Sequence, residues 1–138
     1  MNIALMSHDA KKQLMVHLCT AYCGILCNHT ICATNRTGHM VSEATGLPVN
    51  LFLTQAHGGV QQIGARIAYN EIDMVIYLND PQNEELDVDV QYIVQLCDRH
   101  SVPIATNAAT AEMLIHGLAR GDLNWRENMN PDRVPFAL

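Results

Sequence analysis

The side chains able to do chemistry fall in five short polar clusters. They are Ser7-His8-Asp9 with Lys12 one turn further on, Thr34-Asn35-Arg36-Thr37-Gly38, Thr54-Gln55-Ala56-His57-Gly58-Gly59, Asn79-Asp80-Pro81 and Thr106-Asn107. Two kinds of chemistry suit them. His8, Asp9, His57, Asp80, Asp87 and Asp89 are candidates for moving protons, because imidazoles and carboxylates are tuned toward neutrality by their surroundings. Lys12, Thr34, Arg36, Thr37 and Thr54 are candidates for holding an anion. Lysine supplies a point charge, arginine a planar two-pronged donor, and threonine a hydroxyl at a helix start, where free amides already favour negative charge. Gly58-Gly59 lets backbone amides come close to a ligand. Each cluster alone also has a plainer reading. The threonines suit helix caps, Asp87 and Asp89 the start of a helix, Asp80 before Pro81 a turn, and Glu84-Glu85 a solvated surface run.

The elements around these clusters give them weight. Apolar runs at residues 3–6, 30–33, 49–53, 74–78 and 102–105 are too short for helices. Most carry no alternation, as expected of parallel strands buried on both faces. Pro103 lacks a donor and marks the start of the last strand.

The stretches between read as helices. The first runs from a cap at Asp9 to about Tyr22, with Leu14, Leu18 and Tyr22 at fourfold spacing. A short helix over 38–45 is stopped by Gly46, with Pro48 just beyond. Residues 59–70 put Val60, Ile63 and Ile67 on one face, residues 87–100 turn Val90, Ile93, Val94 and Cys97 inward, and residues 108–119 carry Met113, Leu114 and Leu118. The expected fold class is α/β: one doubly wound domain with a five-stranded parallel sheet flanked by helices and right-handed crossovers. Parallel strands deliver every polar cluster to the same carboxyl edge, where open α/β sheets bind ligands. The domain is expected over residues 1–121. The segment 122–138 loses periodicity and holds Trp125, Pro131, Pro135 and Phe136, so it is expected to pack on the body or on a neighbouring subunit.

Composition narrows the function classes. A chain of 138 residues with 49% hydrophobic and 16% charged residues has the size and make-up of one folded domain, not of a disordered tail. A net charge of −6 argues against a general binder of nucleic acid or anionic membrane, while leaving a local anion pocket open. No apolar run approaches the roughly 20 residues of a membrane span, and the first residues are too short for a signal segment. A soluble, cytoplasmic protein is expected. The odd count of 5 cysteines does not suit a disulfide framework. Cys19, Cys23 and Cys27 stack on one helix face, but the usual paired zinc ligands are missing, so small buried apolar thiols and no metal site are expected. Neither a GxGxxG fingerprint nor a Walker lysine motif occurs, so no nicotinamide or nucleoside triphosphate is expected.

Taken in order, the junctions resemble the methylglyoxal synthase family over essentially residues 2–117. The resemblance is carried by Ile3-Ala4-Leu5-Met6-Ser7-His8-Asp9, Ala33-Thr34-Asn35-Arg36-Thr37-Gly38, Ala44-Thr45-Gly46, Gly58-Gly59-Val60-Gln61-Gln62-Ile63-Gly64-Ala65, Asn79-Asp80-Pro81 and Pro103-Ile104-Ala105-Thr106-Asn107-Ala108-Ala109-Thr110-Ala111. It implies a homohexameric cytoplasmic lyase that cleaves a carbon–oxygen bond to phosphate. Such an enzyme takes a proton from dihydroxyacetone phosphate, forms an enediolate and expels phosphate to leave methylglyoxal, with no metal or organic cofactor. The resemblance also implies that His8 faces the substrate oxygens, that Lys12, Thr34 and Thr37 hold phosphate, and that Asp80 and Asp89 are site carboxylates near the reacting carbons.

The chain departs from the family pattern at telling positions. Between Gly-Gly and Gln-Gln the family carries an aspartate, the general base; here the residue is Val60, which accepts no proton. Glu85-Leu86-Asp87-Val88-Asp89 is one residue short and offers no counterpart to the family's histidine. Arg36 replaces a small hydroxyl residue and Gln55 a glycine. The family's C-terminal arginine, which reaches a neighbouring subunit's site, has two candidates, Arg126 and Arg133. A positioned base contributes about 10²–10⁴-fold, so two functions are carried forward. One is a lyase in which Asp80 or Asp89 serves as base and His57 as replacement acid. The other is a binding or regulatory module that keeps the phosphate cradle without the chemistry, as related domains of carbamoyl phosphate synthetase do. Either way the expected partner is a small phosphorylated metabolite or inorganic phosphate. Arg36 adds the expectation of a ligand with a further carboxylate or phosphate.

Overall fold

The computed structural model describes residues 1–83 and 87–129. Strands β1 (Asn2–Ser7), β2 (Thr30–Ala33), β3 (Val49–Leu51), β4 (Met74–Leu78) and β5 (Ile104–Ala105) form one sheet in the order β3-β2-β1-β4-β5. Every pairing is parallel, with Ile3 opposite both Ile31 and Met74. The chain winds outward from β1 to β3, returns to lay β4 on the other side of β1, and then continues to β5. The reversal between β1 and β4 is the switch point at which such sheets open a crevice.

The helices are α1 (Lys12–Ala21), α2 (Cys23–Leu26), α3 (Asn35–Thr45), α4 (Gly59–Ala68), α5 (Val88–His100), α6 (Ala108–Arg120) and α7 (Trp125–Met129). Successive strand residues point to opposite faces, so β1 supplies two cores. Ile3 and Leu5 join Met15, Leu18 and Cys19 of α1, Val41 of α3 and Ile115 of α6 on one side. Ala4 and Met6 join Val60, Ile63 and Ile67 of α4 and Val90, Ile93 and Cys97 of α5 on the other. The strands read as continuous apolar runs because both faces are covered.

Several boundaries differ from the sequence expectation, each for a local reason. The first helix starts as a 3-10 turn over Asp9–Lys11 and breaks at Tyr22, whose backbone leaves the helical region before α2. Its buried face is Met15, Leu18 and Cys19, while Leu14 lies at the surface. Helix α3 begins at Asn35 rather than Gly38. Gly38 is there for packing: a Cβ would overlap the Leu51 side chain and crowd Ala33 and Val49. On α6, Met113 is 74% exposed, and the buried positions are Ala111, Ile115 and Leu118. Cys19, Cys32 and Cys97 are buried, but Cys23 is half-buried and Cys27 exposed. Burial pushes the thiols of Cys19, Cys32 and Cys97 up to about 12, which leaves them inert.

The amino end of the sheet is closed by one arginine. Arg126 of α7 is 5% exposed and pairs with the fully buried Asp73 at 3.2 Å. It also donates to Ser101 O at 2.7 Å, Asn70 Oδ1 at 3.0 Å and Ile72 O at 3.3 Å. Asp73 accepts from the Asn2 amide at 2.7 Å as well. Asn70 and Ser101 are the non-glycine residues with positive φ among the described residues, at 59° and 53°, and Arg126 grips both. Arg126 is therefore committed to its own chain. Arg133, the acidic pair Glu84-Glu85 and the remaining tail, with Pro131, Pro135 and Phe136, lie outside the described residues.

Candidate functional site

At the carboxyl edge a cavity of about 490 Å³ is lined by His8, Asp9, Lys12, Thr34, Arg36, Thr54, Gln55, Ala56, His57 and Asp89. It thus gathers the segments after β1, β2 and β3 and the first turn of α5. The segment after β5 stays outside: Asn107 caps α6 by accepting from the Thr110 amide at 3.0 Å, and Thr106 O accepts from the Asn79 amide.

The first segment is held by short-range bonds. Below the cavity the His8 amide reaches Leu78 O at 2.9 Å, tying β1 to β4. His8 Nδ1 accepts from the Ala10 amide at 3.2 Å, so the proton of the neutral ring sits on Nε2. Asp80 Oδ2 lies 3.9 Å from the same Nδ1, too far for a hydrogen bond. Asp80 itself makes the expected turn, with Oδ1 accepting from the Gln82 amide at 3.0 Å. Lys12 Nζ donates to Ser7 O at 3.0 Å and to Asp9 Oδ1 at 2.8 Å. The Lys12 hydrogen bond and charge, aided by Arg36, hold the Asp9 carboxyl below its ordinary value. Two of the three ammonium protons are occupied and one remains for a ligand.

The second segment is an open helix end. Thr34 is the N-cap residue of α3, yet its side chain makes no cap bond. The amides of Arg36 and Thr37 are left uncapped at the positive end of the helix. Thr37 stands behind the cavity wall, buried, with its hydroxyl 3.0 Å from that of Ser7.

The third segment wraps around the start of α4, whose N-cap Gly58 likewise offers no side chain. Gly58 has φ 101°, the left-handed conformation that favours glycine. A Cβ at Gly59 would collide with Leu53 O. Both glycines shape the loop without lining the cavity. Thr54 Oγ1 and His57 Nδ1 lie 2.6 Å apart.

Sequence reasoning missed one connection. Gln55 Nε2 donates to Tyr77 Oη at 2.9 Å and to Asp89 Oδ2 at 3.2 Å. Asp89 is thereby fixed in place, while its other oxygen makes no hydrogen bond among the described residues. Burial, then the charges of Asp87 and Asp89, push the Tyr77 hydroxyl well above its ordinary range. A tyrosine at the end of an otherwise apolar strand needs a polar partner, and that signal is readable in the sequence. Asp87 caps α5, accepting from the Asp89 and Val90 amides at 3.1 and 3.2 Å. Val60, in the first turn of α4, is fully buried and outside the cavity lining.

The arrangement can hold an anion between a lysine, an arginine, two hydroxyls and the open end of α3. Beside it stand two imidazoles and a fixed carboxylate. Among the described residues no cluster of histidine, cysteine and acidic side chains has the make-up of a metal site, and no helix is long and apolar enough to cross a membrane.

Comparison with known proteins agrees with this architecture. Residues 15–106 match the family described as MGS-like domain. The methylglyoxal synthase of Caldicellulosiruptor saccharolyticus is 56% identical over 132 residues, covering 95% of this chain and 94% of the relative. That of Oceanobacillus iheyensis is 49% identical over 128 residues, covering 92% and 91%. The crystal structure of methylglyoxal synthase from Elizabethkingia anophelis superposes with a TM-score of 0.76 at 34% identity, covering 83% of this chain and 76% of that one. The chain belongs to the methylglyoxal synthase family.

Proposed function

We propose that the carboxyl-edge cavity binds a small phosphorylated ligand, and that this chain is a slow catalyst of the methylglyoxal synthesis for which its relatives are named. The observation that carries the binding half is the convergence of Lys12, Thr34 and Thr54 with the start of α3, which lacks a side-chain cap. Uncapped amides at the positive pole of a helix are a ready anion site.

The slow half rests on Val60. By resemblance, residue 60 would carry the aspartate that removes a proton from dihydroxyacetone phosphate. Here it is an aliphatic side chain packed into the core. Losing a positioned base removes about 10²–10⁴-fold in rate. Proton removal then falls to Asp89, which borders the cavity, with His8 or His57 toward the oxygens that gain charge. Asp80 reaches the site only through its neighbour His8. The complete burial of Val60 also favours a second reading, a non-catalytic phospholigand-binding or regulatory module. A homohexameric, cytoplasmic protein belongs to the same proposal and rests on the family resemblance.

The test is incubation with dihydroxyacetone phosphate while methylglyoxal and free phosphate are both measured. Slow release that Lys12→Ala abolishes supports the lyase. Binding of inorganic phosphate without any release supports the binding module. Failure to bind phosphate at all removes both. In Val60→Asp, a rise in release of about 10²-fold or more is expected where the rest of the machinery is intact. A folded Val60→Asp protein with no gain places the deficit beyond the base.

A further inference from the structure

Helices α5 and α6 follow electrostatic rules at both ends. Helix α5 has Asp87 as its cap, Asp89 in its first turn, and Arg99 and His100 in its last turn. Helix α6 has Asn107 as its cap and Arg120 in its last turn. Helix α3 departs from that pattern three times over. Its cap residue makes no side-chain bond, its first turn holds no acidic residue, and its second residue is Arg36. A cation at the positive pole of a helix is unfavourable. Arg36 is exposed at the cavity and makes no hydrogen bond or ion pair among the described residues. Asp9, whose carboxyl senses Arg36, is already bonded to Lys12 at 2.8 Å. Local rules broken with so little compensation among the described residues are a mark of functional sites.

Lys12, Thr34 and Thr54 already provide for a phosphoryl group, and a cavity of about 490 Å³ extends past them to His57 and Asp89. It is far roomier than one phosphoryl group. We propose that Arg36 forms a carboxylate subsite beside the phosphate site, so that the pocket selects phosphorylated carboxylic acids. This rests on the phosphate reading of the same cavity. The chemistry favours a carboxylate over a second phosphate for two reasons. The guanidinium fork matches a planar carboxylate with two parallel bonds. The lining also contains Asp9 and Asp89, which tolerate one added negative charge better than two.

The test is calorimetric titration with a matched pair, 3-phosphoglycerate and glycerol 3-phosphate, which differ by a carboxylate in place of a hydroxymethyl group, alongside inorganic phosphate. Wild-type protein should prefer 3-phosphoglycerate by about tenfold or more, the effect of a charge-assisted bond. Arg36→Thr should abolish that preference, weakening 3-phosphoglycerate about tenfold more than glycerol 3-phosphate or inorganic phosphate. Arg36→Lys should restore part of it, since a point charge lacks the fork. Among the described residues Arg36 has no bonded partner to lose, so its variants should fold as wild type does. Equal binding of the pair by wild type, or equal weakening of all three ligands in Arg36→Thr, overturns the carboxylate subsite alone. Lys12→Ala should weaken all three together; wild-type protein that binds none of them overturns the phosphate reading and this inference with it.

Discussion

The two ends of the sheet use arginine in opposite ways. At the amino end Arg126 is buried, paired with Asp73, and donates to Ser101, Asn70 and Ile72. At the carboxyl end Arg36 is exposed at a cavity with no bond among the described residues. The same contrast runs through the helix ends, with Asp87 and Asn107 closing theirs and Thr34 leaving its own open. A side chain whose bonding capacity the fold fills is structural. One left unfilled beside a concave surface is free for something the chain does not contain.

Substitutions that disturb one end but not the other put this contrast at risk. The largest effect is expected from Arg126→Ala, which strands the buried Asp73 charge and should lower unfolding stability by about 3–5 kcal/mol in urea titration. Arg36→Ala should change the same midpoint by no more than about 0.5 kcal/mol. Comparable losses from the two would erase the distinction. Next comes Asp87→Ala, expected to cost about 1 kcal/mol through loss of the α5 cap. Thr34→Ala removes no cap bond and should register in phosphate affinity more than in melting temperature. The smallest effect is one of pH. Burial, then the charge of the Met1 amino group, hold the His29 imidazole below its ordinary 6.5. The unfolded chain therefore takes up a proton before the folded one does. Stability from this group is complete above pH 6.5 and declines as pH falls toward the lowered folded value. His29→Gln should flatten that portion of the stability–pH curve, and an unchanged curve would exclude His29 as its source.

Much of the fold was legible because its signals are local. A strand covered on both faces must be apolar throughout, so residues 30–33 and 74–78 were delimited as β2 and β4 are observed. Gly46, at φ 74°, ends α3 where a glycine stop was read. The misreadings arise where a residue answers to a distant partner. Gly38 resembles a helix start in sequence because its packing against Leu51 is not written in its neighbours. Leu14 on α1 and Met113 on α6 fall outside the buried faces, because periodicity gives a stripe but not its centre. At the cavity, the convergence of His8, Lys12, Thr34, Arg36 and Thr54 follows from parallel strands. That Thr37 is turned to Ser7, and that Gln55 bridges Tyr77 and Asp89, depends on contacts across 22 to 34 residues that no local pattern contains.

The grip of Arg126 also bears on the order of assembly. Its partners Asn70, Ile72, Asp73 and Ser101 come from the loops before β4 and after α5, so the clasp closes only once those elements have docked. Contacts that form after the folding transition state govern how fast a protein comes apart rather than how fast it forms, and this clasp is expected to be of that kind. The short helix α7 is thus a lock on the lifetime of the native chain, and weakening it should quicken unfolding while leaving the refolding rate nearly untouched.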